Sequence, residues 1–110
     1  MRNRIKLHPA IPEQNKKIIR KMSTDLGLDT ILQDGTYTIE KVASKHGNCM
    51  PEYVLKDGKI LVVGNNLGVA IFIENYKGDW FRTSRIESCT RHKDVIVIET
   101  MNSTYHLLGD

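Results

Sequence analysis

The chain has 110 residues, of which 40% are hydrophobic and 26% are charged, a composition typical of one globular domain rather than a disordered segment. Its formal net charge of +3 excludes a strongly acidic protein that imitates nucleic acid and is compatible with an anionic partner. We therefore expect a single domain over residues 1–110, with an N-terminal arm (1–11), a helix (12–27) and a sheet (36–108).

The N-terminus and the two cysteines bear on the cellular compartment. Met1–Lys6 is charged, but the apolar stretch of a signal peptide does not follow it. No run approaches the ~18 apolar residues that a membrane-spanning helix needs. Cys49 and Cys89 are too few for a disulfide framework. These features predict a cytoplasmic protein with reduced thiols and no association with a membrane.

An amphipathic helix is predicted over Pro12–Leu26, because apolar side chains recur there with a helical period. Gly27 suits the position just past the helix C-terminus. Three interpretations of the basic face stay open: a solvated surface of a helix docked on the sheet, a contact surface for nucleic acid or another acidic partner, or a helix that lies on a membrane surface. The apolar stripe contains Ile18, Ile19, Met22 and Leu26, and the basic face contains Lys16, Lys17, Arg20 and Lys21.

From residue 36 onward the sequence has the composition of short strands separated by turn residues at roughly ten-residue intervals. Lys56-Asp57-Gly58 lies between two apolar runs and predicts a tight hairpin with Gly58 at positive φ. The predicted strands are Thr36–Ala43, Glu52–Leu55, Lys59–Val63, Val69–Glu74, Trp80–Thr90, Val95–Thr100 and Thr104–Leu108.

Val95–Ile98 is apolar at every position, which predicts burial on both faces of that strand. A flat sheet with one helix covers such a strand on one side only, whereas a sheet curled into a small barrel covers both sides. The expected fold is therefore mainly β (α+β): an N-terminal amphipathic helix packed on an antiparallel meander or a small β-barrel of six or seven strands.

No group of residues has the spacing of a catalytic or metal site. His46 and Cys49 lie three residues apart in one loop, and further metal ligands would have to come from elsewhere. Cys89 and His92 are a poor match for a nucleophile and its base, because one lies in a strand and the other in the following turn. We interpret Cys89 as a buried thiol and expect no enzyme, no cofactor and no metal.

The most distinctive polar stretch is Arg82-Thr83-Ser84-Arg85. Because side chains alternate along a strand, Arg82 and Ser84 are expected on one face, with Thr83 and Arg85 on the other. A guanidinium beside a hydroxyl suits phosphate or carboxylate oxygens, so we expect one of the two arginines to contact an anionic partner. The structural alternative pairs an arginine with a nearby glutamate.

Two further groups of polar and aromatic residues complete the candidates. Asn102-Ser103 is first of all a turn signal. Four aromatic residues, Tyr76, Trp80, Phe81 and Tyr105, are expected in the core rather than as base-stacking platforms. The candidate binding residues are Arg82, Ser84, Arg85, Asn102, Lys17, Arg20 and Lys21.

The end of the chain carries the pattern F-x-T-S-x-I, a turn, an apolar strand, and T-x-N-S-x-Y-x-L. Its residues are Phe81, Thr83, Ser84, Ile86, Thr100, Asn102, Ser103, Tyr105 and Leu107. This pattern resembles the tails of small β-rich proteins encoded by bacteriophages and prophages. The resemblance implies an inhibitor of bacterial immunity, of the anti-CRISPR type or of the type that sequesters nucleotide immune signals.

Two functions follow as expectations. The first is a non-enzymatic phage-type protein that inhibits a bacterial defence system, either by occupying the surface of a host protein or nucleoprotein or by holding an anionic nucleotide. The alternative is a small basic nucleic-acid-binding accessory protein that uses the helix, whose affinity would fall steeply with salt. Self-association into a homo-oligomer is left open.

Overall fold

The structure, a computed structural model, describes residues 4–44 and 53–109. Two helices come first, α1 (Glu13–Asp25) and α2 (Leu28–Ile31). Seven strands follow, which makes the fold mainly β, as predicted. They are β1 (Thr36–Ser44), β2 (Tyr53–Asn65), β3 (Gly68–Glu74), β4 (Trp80–Arg82), β5 (Ile86–His92), β6 (Val95–Thr100) and β7 (Ser103–Gly109).

All seven strands form one antiparallel sheet in the order β4-β3-β2-β1-β7-β6-β5. In a flat sheet, six strand spacings of about 4.8 Å would separate its two edges by about 29 Å. The edge strands β4 and β5 are nevertheless consecutive, and the four residue steps from Arg82 to Ile86 span at most about 14 Å. The sheet must therefore curl like a barrel, with residues 83–85 crossing the seam between its edges.

The predicted Lys56-Asp57-Gly58 hairpin is wrong, because these residues lie inside the continuous strand β2. Two steps along β1, from Tyr37 to Ile39, match three steps along β2, so β2 contains a bulge here. Positive φ occurs at Asp57 (54°) and not at Gly58. The bulge lies where β2 changes its pairing from β1 to β3, and it lets one long strand serve both.

The predicted long strand Trp80–Thr90 is interrupted at residues 83–85. Its first part pairs with β3 and its second part pairs with β6, on opposite edges of the sheet. Two backbone hydrogen bonds hold the interruption: the Thr83 N–H donates to the Ile71 carbonyl (3.0 Å), and the Met101 N–H donates to the Arg85 carbonyl (3.0 Å). The seam is therefore tied to β3 on one side and to the β6–β7 turn on the other.

Helix α1 packs against β2 and β3, as expected for a helix docked on the sheet. Its buried residues are Ile19 and Ser23, whereas Ile18 of the predicted apolar stripe is 41% exposed. The Ser23 hydroxyl donates to the Ile19 carbonyl (2.8 Å), which satisfies it in the core. Gly27 has a φ of 82° and ends the helix as predicted.

The N-terminal arm is part of the core. Ile5 is completely buried, and the His8 N–H and the Lys6 carbonyl hydrogen-bond to the two backbone groups of Val62 on β2 (2.8 Å each). After Gly27 the chain forms the short helix α2, with Leu28 completely buried. The arm and both helices thus cover apolar surface that the curled sheet leaves open.

The core is built from the inward faces of the strands. Val95–Ile98 was expected to be buried on both faces; Ile96 and Ile98 are buried, and Val95 and Val97 are half-buried. Because Val95 and Val97 still lose part of their exposure, this strand is covered unequally on its two sides. The completely buried members of the core are Ile5, Ile19, Leu28, Leu32, Ile39, Ile60 and Val62.

Candidate anion-binding site

A pocket of about 400 Å³ lies beside the seam, between the β2–β3 turn and residues 82–85. Arg82 and Arg85 both line it, with Ser84, Gly68 and Asn65 among its other walls. The two arginines were expected on opposite faces of one strand, but the interruption at residues 83–85 breaks the alternation. Both arginines therefore line one pocket.

The charges of this pocket are of one sign. Its described lining contains Arg82 and Arg85 and no carboxylate. Within residues 4–44 and 53–109, neither guanidinium makes an ion pair or a side-chain hydrogen bond, so the predicted pairing of an arginine with a glutamate is not formed there. Each guanidinium has five N–H donors in a planar fork that matches phosphate and carboxylate oxygens. The pocket is therefore suited to an anion.

Gly68 provides the surface on which the Arg85 side chain rests. A Cβ atom at Gly68 would lie 2.7 Å from Arg85 Cγ and would also collide with Cδ. Any side chain at this position would therefore force the stem of Arg85 to move. Gly68 therefore helps to set the direction in which the Arg85 guanidinium points.

Between the two arginines, the backbone is held by a closure network of Thr83, Ser84, Thr100, Asn102 and Ser103. The buried Thr83 hydroxyl accepts a hydrogen bond from the Ile71 N–H (3.1 Å) and donates to the Ser84 carbonyl (2.9 Å). The Ser84 hydroxyl donates to Thr100 Oγ1 (2.8 Å) and accepts from the Asn102 N–H (3.2 Å). The Ser84 hydroxyl and the backbone N–H of the exposed Asn102 thus bond within the protein and hold the backbone next to the two arginines.

The closure network also explains most of the polar pattern near the end of the chain. Thr100 is completely buried, and its hydroxyl accepts from the Ser103 N–H and donates to the Ser103 carbonyl, both at 3.0 Å. These bonds form the predicted turn at Asn102-Ser103. The T-S and T-x-N-S segments therefore meet across the seam although they are far apart in sequence.

Ser84→Ala is expected to lower the free energy of unfolding by about 0.5–1.5 kcal/mol, because Thr100 Oγ1 and the Asn102 N–H each lose one hydrogen bond while keeping another. Urea denaturation measures the change. Ser88→Ala is the matched control, since this half-buried serine on β5 has no hydroxyl partner within the described residues. Equal unfolding free energies for the two variants would show that the network does not stabilise the seam.

The basic face of α1 differs from its prediction. Arg20 does not lie on the outer side of the helix: its Nη1 donates to the Ile5 carbonyl (2.7 Å) and pairs with Asp29 (3.2 Å), so it joins α1 to the arm and to α2. Lys21 is exposed but pairs with Asp25 (3.2 Å), and Lys17 remains on the exposed face. This face therefore carries acidic as well as basic groups.

The aromatic residues divide into two groups. Phe81 and Tyr105 stack on each other in the core (6.0 Å between ring centroids), as expected. Trp80 and Tyr76 were expected in the core, but they are 63% and 75% exposed. Trp80 follows an exposed turn and faces outward on the edge strand β4, so the sheet edge leaves its ring accessible.

Cys89 is buried, as predicted, and burial raises the pKa of its thiol to about 11. The exposed His92 bonds instead to the Thr90 hydroxyl (3.3 Å). The proposed loop pair of His46 and Cys49 lies outside the described residues. Among residues 4–44 and 53–109, no three His, Cys, Asp or Glu side chains are grouped so that they could hold a metal ion.

A larger cleft of about 650 Å³ lies elsewhere on the surface and includes Arg91, Asp34 and Asp94. Asp34 pairs with Lys6 (3.3 Å), and Arg91 donates to the Lys93 carbonyl (3.1 Å). Because its charges are mixed and partly engaged, this cleft is less suited to an anion than the pocket beside the seam. Neither helix in the described part of the chain has the length and apolar character needed to cross a membrane.

The fold and the pocket together define a small protein with a curled antiparallel sheet and a cationic pocket at its seam. No protein-family model matches the chain, and neither a curated protein nor a solved structure is significantly similar to it.

Proposed function

We propose that this chain is a non-enzymatic binding protein that receives an anionic group of its partner in the pocket of Arg82 and Arg85. The observation that carries the proposal is that two arginines, neither of which has a guanidinium partner among the described residues, line one small pocket that has no carboxylate in its described lining. Arginine stays protonated and cannot act as a general base at neutral pH. Its chemistry here suits recognition and charge neutralisation.

The sequence resemblance supplies the biological setting of this proposal. In that setting the protein is phage-encoded and inhibits a bacterial defence system, with a host protein, a nucleoprotein or a nucleotide signal as the anionic partner. Affinity capture from a bacterial lysate, with mass spectrometry of bound proteins and small molecules, identifies the partner. A variant that carries both Arg82→Ala and Arg85→Ala is the control, and a partner retained by that variant would contradict the assignment of the pocket.

Arg82→Ala and Arg85→Ala are each expected to weaken the binding of pyrophosphate by about 10- to 150-fold, because a hydrogen bond to a charged group contributes about 1.5–3 kcal/mol. Their melting temperatures should stay close to that of the parent protein, since both side chains are exposed and neither pairs with another described residue. Titration calorimetry at low salt measures the affinity. Arg91→Ala removes an equal charge outside the pocket and should leave binding unchanged.

Gly68→Ala makes the same test without removing a charge. The added methyl group collides with the stem of Arg85, so pyrophosphate should bind more weakly although both arginines are present. If all three pocket variants bind normally and the pair Lys17→Gln and Lys21→Gln loses binding, the alternative is correct. The functional surface would then be the helix of a nucleic-acid-binding accessory protein.

A further inference from the structure

The pocket of Arg82 and Arg85 is called the anion-binding pocket from here on. A second groove, also of about 400 Å³, adjoins it on the outer face of β3 and β4. Its walls are the arm residues His8, Ile11 and Pro12 together with Phe72 and Trp80. Phe72 and Trp80 are stacked, with ring centroids 5.4 Å apart and planes 20° apart, and His8 meets Phe72 edge-on at 4.9 Å. This cavity, which we call the aromatic groove, is therefore lined by rings that pack on one another, and Trp80 remains 63% exposed.

Arg82 belongs to both cavities, since it lines the aromatic groove as well as the pocket that contains Arg85. It lies directly opposite Phe72 in the β3–β4 pair and two residues after Trp80, so the three side chains share one face of the sheet. A flat ring stacked on Trp80 would thus lie next to a guanidinium, with a second guanidinium beyond it. This arrangement matches a molecule with an aromatic base at one end and phosphates at the other.

The charges around Trp80 indicate how far such a ligand extends. Glu74 lies opposite Trp80 in the strand pair, and Asp79 precedes it; both are exposed. A long single strand of nucleic acid needs a positively charged groove that follows its backbone. Lys59 lies opposite Glu74 on β2, and Lys77 is in the same turn as Asp79, so the charges beyond the base are mixed. They do not form the continuous positive groove of a long strand, and the surface favours a ligand that ends at Trp80.

We propose that the aromatic groove and the anion-binding pocket together bind one small nucleotide that carries at least two phosphate charges. The base stacks on the exposed ring of Trp80, Arg82 holds the phosphate next to it, and Arg85 holds the terminal phosphate. This inference rests on the proposed anion-binding function and adds a base subsite to it.

Trp80 is the only tryptophan in the chain, so its fluorescence reports directly on stacking. ADP, GDP, CDP and UDP are each titrated by fluorescence and by calorimetry, with pyrophosphate as the probe that has no base. At least one nucleoside diphosphate is expected to quench Trp80 and to bind about 5- to 150-fold more tightly than pyrophosphate, the range that base stacking provides.

Trp80→Leu should remove this advantage and leave pyrophosphate binding unchanged. Tyr76→Leu is the matched control, because Tyr76 is also an exposed aromatic residue but lies outside the described lining of both cavities. Melting temperatures of both variants verify that they are folded. A nucleotide advantage that survives Trp80→Leu would overturn the base subsite.

The remaining outcomes separate the two proposals. If pyrophosphate and all four nucleotides bind equally, the base subsite is wrong and the anion-binding pocket stands. If none of them binds, both proposals fail for phosphate ligands. If a single-stranded oligothymidylate of fifteen residues binds more tightly than any nucleotide, with a steep salt dependence, the ligand is an extended strand and the proposed small nucleotide is wrong.

Discussion

Ile19→Ala is expected to lower the free energy of unfolding by about 2–5 kcal/mol, whereas Ile18→Ala is expected to change it by less than about 0.5 kcal/mol. The two residues are neighbours on α1 and have the same side chain. Ile19 is completely buried, while Ile18 is 41% exposed. Truncating Ile19 removes apolar contacts and leaves a cavity, because neighbouring core residues such as Ile5 and Leu28 cannot collapse fully into it.

Urea denaturation of the two variants measures both unfolding free energies, provided that the slope of free energy against urea concentration is the same for both. Lys17→Gln with Lys21→Gln is a second control, since these side chains are exposed and should contribute little to stability. If Ile19→Ala and Ile18→Ala have equal effects, α1 is not docked through the face described above. The helix would then be held mainly by Arg20 and its bonds to the arm and α2.

Gly58→Val is expected to destabilise the protein by about 1–3 kcal/mol through overpacking of the core. The Cβ of any side chain at Gly58 would collide with Ile39 Cδ1 and lie 2.9 Å from Ile73 Cγ2, both in buried core residues. Gly109→Val is the matched control, because Gly109 is also a strand glycine but has open space around it. Melting temperature and urea denaturation measure both variants.

The cause of this effect can be tested separately. Ile39→Val deletes the Cδ1 atom that the new side chain would meet, so Gly58→Ala should cost less in an Ile39→Val background than in the parent protein. If the stability losses of Gly58→Ala and Ile39→Val simply add in the double variant, the collision with Ile39 is not the reason that Gly58 is needed. A hairpin turn at this place would predict no coupling with Ile39 at all.

The same local chemistry supports both the predicted hairpin and the observed bulge. Asp57 does adopt a positive φ, as the Asp-Gly pair indicates, but a bulge uses that conformation as readily as a turn does. What separates them is whether the flanking segments pair with each other or with other strands. Here residues 53–59 pair with β1 and residues 59–65 with β3, so the chain runs straight on through β2.

At the candidate site, too, local sequence predicted the residues but not their arrangement. The residues Arg82 and Arg85 were identified from sequence because guanidinium groups beside hydroxyls suit anions. Their shared pocket was missed, since strand alternation places them on opposite faces and only the crossing of the seam at residues 83–85 interrupts it. The outward position of Trp80 was also missed, and the signal available for it was its place directly after the turn residues Asn75–Asp79.

The sequence by itself determined the amphipathic helix and most of the strands as element types, and it singled out the two arginines that line the candidate site. Periodicity and composition are local properties, so they sufficed for the amphipathic helix and for most of the strands. The tertiary structure decided the burial of the arm, the difference in burial between Ile18 and Ile19, the bulge in β2 and the seam that brings the two arginines to one pocket. Each of these depends on contacts between segments distant in sequence, such as Val62 with Lys6 and Ser84 with Thr100, and local preferences carry no information about those contacts.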